Sequence, residues 1–460
     1  MFIYREGKDL LTIWDAIIPP FILFAIFLYA YLTKIRKIDK RPEYSFYVKG
    51  MTLKIMGGLF FLVIYLFYYG GGDTTLYYQS CESLLNLSKV NFGKFFSIMM
   101  GNLSQENASL FGPEIGYNYY YRDFQSYSVV RFSSIFVFMV GRSYVAATIL
   151  IAAFTYGGLW SLFKLLYHRF PNDKKAIVFA IFYIPSTLFW GSGLLKDSYT
   201  LMATCYFFVA FYNLIVLKKN MVKNIFLILF ASFILISLKP YIFFALIAAV
   251  FITLIHINSS YIKNKIIKMF VIPVLIVVII VGGLQFIQIM GENIGGHYSS
   301  IDKMLEKAVI NQQDLKQSYY GGNSFDIGYF EPTIPGILSK LPVATIAGLF
   351  RPFLWEARNP VMLISALENS IFLFLTFYVL FLSFLTWRQY NWKYLKNILF
   401  SDPFIVFSIV FSFVFAFFIG LTTSNFGALV RYKIPLIPFF MSTLFIIVHN
   451  FNIERNKWRK

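Results

Sequence analysis

Long apolar runs separated by short polar segments make up the chain from Thr12 to Asn450. Runs of 18 or more apolar residues are typical of membrane-spanning helices, because about 20 helical residues cross the hydrocarbon core of a bilayer. The pattern predicts eleven spans: 12 to 33, 55 to 69, 143 to 163, 176 to 190, 199 to 217, 225 to 238, 241 to 257, 269 to 290, 369 to 386, 403 to 420 and 434 to 450. The predicted fold is therefore all-α, a polytopic transmembrane helix bundle forming a single integral membrane domain over residues 1–460.

Composition excludes a soluble globular protein. Only 14% of the 460 residues are charged and 58% are hydrophobic, whereas soluble domains carry about 25% charged residues. The 55 Phe and 32 Tyr residues are explained mostly by contact with lipid and by interfacial aromatic belts. Membrane lipids are therefore the expected surroundings of the chain.

Basic residues are concentrated in the short polar segments on one side of the predicted spans. If the spans alternate in direction, six segments share that side: 34 to 54, 164 to 175, 218 to 224, 258 to 268, 387 to 402 and the tail from 451. These segments hold 24 Lys and Arg residues against five acids, so they carry the whole net charge of +19. By the positive-inside rule this side is cytoplasmic. We expect the N-terminus outside, the C-terminus inside, a multi-pass location in the cell inner membrane, and no nucleic acid partner.

Two long segments, residues 70–142 and 291–368, interrupt the short loops and fall on the external side. Long loops of this kind usually carry function. The first contains amphipathic stretches, Leu84 to Met100 and Tyr127 to Val140, that suit interfacial helices. The second becomes apolar with several prolines, and it either lies on the membrane or re-enters it.

The sequence contains no nucleotide-binding loop, no metal-ligand motif and no Ser-His-Asp spacing. We therefore expect no nucleotide or redox cofactor, and use of a divalent metal stays open. What the pattern does show is a set of ionisable residues at the external ends of spans, which alternation brings to one membrane surface.

Asp73 follows three glycines directly after the second predicted span. Glycines permit close approach of a ligand to the backbone, and a carboxylate at the membrane edge suits a general base toward a substrate hydroxyl. The alternative is that Asp73 caps a helix beginning at Thr74. The two roles are compatible with each other.

Lys196, Asp197 and Lys239 lie at the ends of later spans. Asp197 fits a helix N-cap, and Lys196 suits either a phosphate contact or snorkelling to lipid headgroups. Lys239 has no acid between Ser198 and Gly291, so a partner must come from elsewhere in the chain. A bound anion and a headgroup contact are both open for Lys239.

Arg351 and Glu356 lie in the apolar part of the second long segment, followed by Arg358. Arg351 suits phosphate because its guanidinium is a planar fork of donors, and an ion pair with Glu356 is the competing structural role. Glu368 is either intramembrane or interfacial, depending on whether the ninth span begins near Pro360 or near Asn369. An acid at membrane depth is a site candidate by default.

Arg431 and Lys433 follow the tenth predicted span and precede Pro435, with no acid between Pro403 and Ile453. Two cations on the outer surface run against the charge bias, which favours a bound anion. On an irregular segment, side chains two residues apart can meet the oxygens of one phosphate. Snorkelling is the alternative.

Four short motifs carry a resemblance. They are Gly71-Gly72-Asp73 followed by Tyr77-Tyr78, the turn from Gly191 to Asp197, the stretch from Phe350 to Glu356, and the stretch from Asn425 to Tyr432. With the topology, they resemble the GT-C superfamily of lipid-carrier-dependent glycosyltransferases, and the bacterial integral-membrane polysaccharide polymerases are also similar. The resemblance implies a GT-C-like bundle with interfacial helices in its external loops and an active site on the external face.

The resemblance also implies roles for individual residues. Asp73 would be the catalytic base or the group that orients the acceptor, with Tyr77 near it. Lys196, Lys239, Arg351, Arg431 and Lys433 would neutralise the phosphate of a polyprenyl-linked sugar donor. Asp197, Glu356, Arg358 and Glu368 are further candidates, and Glu82, Glu114 and Asp123 are possible second acids.

Three functions stay open at this stage. The first is glycosyl transfer to a glycan, lipid or protein acceptor in cell-surface polysaccharide or glycoconjugate synthesis. The second is polymerisation of lipid-linked repeat units, and the third is transport of lipid-linked oligosaccharides by a flippase. Transporters usually place polar residues near the bilayer midplane, whereas the predicted span centres are almost bare of charge.

Overall fold

The computed structural model describes residues 7–258, 301–317 and 323–458. Within these ranges every regular element is a helix, and the only strand-like features are two isolated β-bridges. In the described part of the chain, eight helices are long and apolar enough to cross a membrane, and a bent pair makes a ninth if it is counted as one span. The all-α prediction is confirmed, and the chain is a multi-pass membrane protein by the length and composition of its helices.

The chain divides into two compact units, Met1–Phe243 and Phe244–Lys460. The first unit contains α1 (Trp14–Ile38), α2 (Tyr47–Val63), α3 (Asp73–Val90), α4 (Phe92–Met99), α5 (Gln105–Ala108), α6 (Phe124–Met139), α7 (Tyr144–Arg169), α8 (Lys174–Phe182), α9 (Pro185–Trp190), α10 (Lys196–Ile215) and α11 (Met221–Leu238). The boundary falls within α12 (Pro240–Asn258). The second unit continues with α13 (Ile301–Asp314), α14 (Ile334–Ser339), α15 (Leu341–Phe350), α16 (Pro360–Gln389), α17 (Trp392–Leu399), α18 (Pro403–Thr422), α19 (Phe426–Tyr432) and α20 (Ile437–Trp458).

Eight of the eleven predicted spans correspond to candidate membrane spans. The last predicted span, 434 to 450, overlaps α20, which meets the short helix α19 at a bend of 70°. The predicted span 269 to 290 lies outside the described residues.

The predicted span 176 to 190 is wrong as a single helix, because the structure divides it into α8 and α9. Pro185 is the first residue of α9 and has no N–H to continue the helix from α8. Ile184, which precedes the proline, is extended with φ −80° and ψ 117°, as the residue before proline prefers.

In the first unit, α7 packs against α1, α2, α6, α8 and α10. Gly158 allows α7 and α10 to approach closely, since a Cβ there would lie 2.5 Å from the carbonyl oxygen of Met202. Small residues at such crossings allow tight helix packing in membranes. The helices α3 and α6, both within residues 70–142, pack together, and α6 also packs against α7 and α11, so the first long segment lies against the bundle.

In the second unit, α15 packs mainly against α18. A Cβ at Gly348 would clash with the backbone of Ala416, so the two helices meet at very close range. The ninth predicted span begins at Pro360 rather than near Asn369, because Asn359 caps α16 by accepting a hydrogen bond from the Met362 amide at 2.9 Å. Glu368 therefore lies within α16, where its side chain is buried.

Candidate functional site

Asp73 is the first residue of α3, and the predicted cap at this position is wrong. The N-cap is Gly72, whose amide donates to the Thr75 hydroxyl at 3.0 Å. Gly70, Gly71 and Gly72 all have positive φ, between +71° and +150°, which only glycine adopts readily. The Asp73 carboxylate is therefore not needed as the N-cap and lies at the positive end of α3.

Tyr120 holds the Asp73 carboxylate. Its hydroxyl donates a hydrogen bond to Asp73 Oδ1 at 2.9 Å. The ring of Tyr120 packs against buried Tyr77, with 4.5 Å between the ring centroids. Tyr77 therefore contributes indirectly, by fixing the ring that orients the carboxylate. Sequence reasoning did not single out Tyr120, although the run of tyrosines from 117 to 121 was visible.

Asp123 stands on the same turn as Tyr120, because its amide donates to the Tyr120 carbonyl at 3.0 Å. Lys196 Nζ lies 3.8 Å from Asp123 Oδ2. The turn thus connects the residue that holds Asp73 to a basic residue at the start of α10. Asp123, one of the three possible second acids, is thus linked by the structure to the surroundings of Asp73.

Asp123 is ionised at neutral pH. Partial burial raises the pKa of its carboxyl, but the nearby Lys196 ammonium and the hydrogen bond from the Ser126 hydroxyl lower it further, to below the ordinary value of 3.8. A carboxylate with a lowered pKa stabilises the folded state above its unfolded pKa and loses this contribution only as the pH falls through the folded pKa. The contact between Asp123 and Lys196 therefore persists through the physiological range.

Lys239 pairs with Asp197, and the predicted N-cap role of Asp197 is wrong. The N-cap of α10 is Leu195, and Lys239 Nζ lies 2.5 Å from Asp197 Oδ1. Both side chains are almost inaccessible, with 5% and 0% exposure. The prediction that the partner of Lys239 comes from elsewhere in the chain is confirmed. The ammonium of Lys239 is therefore already engaged by a carboxylate of the protein.

Lys54 is a buried basic residue that sequence reasoning missed. The second candidate span extends over Pro42–Tyr68, so Lys54 lies inside it rather than before it. Its side chain is 1% exposed and donates to the carbonyl of Gly191. The sequence signal for it is a single lysine within an apolar run. It was missed because the predicted span began at residue 55.

In the second unit, Arg351 forms an ion pair with Glu356, with 3.1 Å between Nη2 and Oε1. This confirms the structural role that competed with phosphate binding. The guanidinium also lies over the ring of Phe325, 4.9 Å from its centroid. Glu356 accepts a hydrogen bond from the Phe353 amide as well. Arg358 is exposed in the segment before α16.

Lys433 is fully buried and connects three parts of the second unit. Its ammonium donates to the Arg351 carbonyl at 3.0 Å and to Asn369 Oδ1 at 2.5 Å. The Asn369 amide in turn donates to the Pro352 carbonyl at 3.2 Å. Glu368 is the acid whose charge acts on Lys433.

The expectation that Arg431 and Lys433 meet one phosphate on an irregular segment is wrong in its geometry. The segment is helical through Tyr432, and Lys433 is its C-cap. Residues two apart on a helix do not face each other. Accordingly, Lys433 is buried and Arg431 is only half-buried. Phosphate binding by Arg431 stays a prediction.

The described residues contain no group of three or more His, Cys, Asp or Glu side chains placed to hold a metal ion. The arrangement around Asp73 instead offers a carboxylate, a hydroxyl that orients it, and an ammonium held by a second carboxylate. These groups can move a proton and stabilise a developing negative charge. Comparisons with models of protein families, with curated proteins and with solved structures found no match to the chain.

Proposed function

We propose that the chain is a glycosyltransferase of the GT-C type that uses a sugar donor linked to polyprenyl phosphate or diphosphate. It acts at the external face of the inner membrane in the synthesis of a cell-surface polysaccharide or glycoconjugate. The observation that supports this most is the link from Asp73 through the turn of Tyr120 and Asp123 to Lys196. It connects a base and a cation through one turn of the first unit.

In the proposed reaction, Asp73 accepts the proton of an acceptor hydroxyl. The hydroxyl oxygen forms a bond to the anomeric carbon, the bond from that carbon to the phosphate oxygen breaks, and the electron pair leaves with the phosphate. Tyr120 fixes the carboxylate, and Lys196 stabilises the charge that develops on the leaving group. Preorganised charges of this kind usually supply a large part of catalysis.

The proposal is tested by deleting the gene and comparing lipid-linked and surface glycans with those of the parent strain. Loss of one sugar supports the transferase, and loss of chain length alone supports a polymerase of repeat units. Accumulation of an intact intermediate supports a flippase. Unchanged glycans contradict all three.

A transporter is the second candidate, and the buried charges favour it. Lys54 lies inside a candidate span, and the Asp197–Lys239 pair is closed off from solvent. Ionisable residues within membrane helices often mark transport or proton pathways. Transport received less weight from the sequence because the predicted span centres are almost bare of charge, and those spans did not include Lys54. Transport of lipid-linked sugar into vesicles by the purified protein, without any transfer product, would favour this function over the first.

We expect reporter fusions after Asp39, Asp173 and Lys460 to read cytoplasmic, and fusions after Gly101 and Asp314 to read external. The reason is the concentration of Lys and Arg residues on one side of the spans. The measurement is paired alkaline phosphatase and fluorescent protein fusions. An external reading after Lys460 would reverse the orientation that the proposal requires for the last helix.

We also expect Arg431→Ala to weaken use of the donor by roughly tenfold to a hundredfold. A charge-assisted hydrogen bond to phosphate contributes about 1.5 to 3 kcal/mol, and Arg431 is half-buried, on the last turn of α19. Arg431→Lys should recover only part of the loss, because an ammonium lacks the two-pronged geometry. The measurement is the dependence of transfer on donor concentration at matched protein levels.

Lys433→Met is the matched comparison for Arg431. Since the Lys433 ammonium bonds to the Arg351 carbonyl and to Asn369, we expect this change to lower the unfolding temperature. Donor dependence that is unchanged in both Arg431 variants would remove Arg431 from the donor site.

A further inference from the structure

A basic cavity of about 650 Å³ lies in the first unit, between the loop after α1 and the ends of α7, α10 and α11. Its Lys and Arg side chains are Lys40, Arg41, Lys164, Arg169, Lys219 and Lys223. Glu43 is the one carboxylate among the residues that line it. Ligand sites commonly have volumes of about 300 to 1,000 Å³, so the cavity is large enough for a small organic anion.

Lys164 distinguishes this cavity from an ordinary basic loop. It lies on α7, five residues before the end of that helix, where the helix forms a wall of the cavity. Its side chain is half-buried. The basic side chains whose charges act on it are Lys223, Arg41 and Lys37. Like charges held around a concave surface repel one another, and a bound anion relieves this repulsion. Unlike Lys40 and Arg41, which lie in the loop after α1, Lys164 lies on a helix that forms a wall of the cavity.

The N-terminus of α11 adds to the positive potential. Asn220 is its N-cap, has a left-handed φ of +47°, and makes no side-chain capping bond. Asn220, Lys223 and Asn224 all line the cavity. The first N–H groups of a helix have no partner within the helix, and together with the helix dipole they attract phosphate.

Glu43 provides a different kind of contact. Its side chain is 1% exposed, and its Oε1 lies 3.1 Å from Nε2 of His168. Its Oε2 is buried and has no hydrogen-bond partner within the described residues. Buried carboxylate oxygens normally accept hydrogen bonds. A ligand with hydroxyl groups beside its phosphate would supply the missing donor.

We propose that this cavity binds a phosphorylated polyol, with the phosphate on Lys164, Lys223 and the N-terminus of α11, and a hydroxyl on Glu43. The phosphate ester comes either from the headgroup of a phospholipid or from a soluble molecule. The inference does not rest on the proposed transfer reaction, since none of these residues takes part in it.

The test uses the purified full chain in detergent and measures the shift of its unfolding temperature with ligand concentration. The probes are dioctanoyl phosphatidylglycerol, glycerol phosphate and dioctanoyl phosphatidylcholine. A saturable rise with phosphatidylglycerol alone assigns the site to a lipid headgroup, and an equal rise with glycerol phosphate assigns it to a soluble ester. No rise with either probe, or an equal rise with phosphatidylcholine, overturns the proposal.

Variants locate the binding. Lys223 is exposed on the first turn of α11, so Lys223→Gln should preserve the fold and weaken binding by about tenfold, as should Lys164→Gln. Glu43→Ala should weaken phosphatidylglycerol but not dioctanoyl phosphatidic acid, which has no polyol. Lys175→Gln, an exposed change on α8 outside the cavity, should leave the affinity unchanged. Wild-type affinity in both Lys164→Gln and Lys223→Gln would overturn the assignment.

Discussion

For the proposed glycosyl transfer, we expect Asp73→Asn to abolish detectable activity and to leave the unfolding temperature in detergent close to that of the wild type. The amide keeps the size of the side chain and an oxygen for the Tyr120 hydroxyl, but it cannot take a proton at neutral pH. General-base catalysis contributes about 10²- to 10⁴-fold to rate, so the loss should be of this order. The measurements are restoration of the surface glycan by the variant in a deletion strain, and thermal unfolding of the purified protein.

The substitution Asp73→Asn tests the chemical role of the carboxylate without removing an interaction that α3 needs to fold. Gly72 and Thr75 cap α3, so Asp73→Asn does not remove the cap. Tyr120→Phe should reduce transfer partially, because it removes the hydroxyl that orients Asp73 and keeps the ring against Tyr77. Tyr117→Phe, at an exposed position of the same segment, is the matched control. Full restoration of the glycan by Asp73→Asn would reduce Asp73 to a structural residue.

The helical fold could be predicted from the sequence because each span is a long apolar run, and such a run is recognised from consecutive residues alone. The break between α8 and α9 was the main error. An apolar count over residues 176–190 does not register that Pro185 interrupts the hydrogen bonds of a helix. The early start of α16 was also foreseeable in physical terms, since Asn359 before Pro360 is a favourable helix beginning.

The candidate site was predictable only in part. Asp73 and Lys196 stand next to glycine-rich turns, so their positions were visible in the sequence. Their partners were not, because Tyr120 lies 47 residues from Asp73 along the chain and Lys239 lies 42 residues from Asp197. Pairing over such distances depends on how helices pack, and no local pattern encodes it. Lys433 has no acid near it in the sequence, which suggested a cation free to bind a phosphate. In the structure its ammonium is buried and bonds to the Arg351 carbonyl and to Asn369.

Breaking the buried pair of Asp197 and Lys239 should give the largest loss of stability in the chain. Lys239→Met leaves the Asp197 carboxylate buried without its cation, and removal of one partner from a buried pair costs about 3 to 5 kcal/mol. The double variant Asp197→Leu with Lys239→Met removes both charges and should recover most of that loss. The measurement is a double-mutant cycle on the unfolding midpoint, followed by intrinsic tryptophan fluorescence in detergent.

The pair of Lys94 and Glu106 provides the control for this cycle. Its atoms are nearly as close, with 2.7 Å between Nζ and Oε1, but the Glu106 side chain is 79% exposed. Solvent screens such a pair, so Lys94→Met should shift the midpoint far less than Lys239→Met. If the two single changes have equal effects, the burial of Asp197 and Lys239 does not make their contact stabilising. A double variant that is stable but inactive would instead show that the pair serves function, because the two charges would then be needed only for activity.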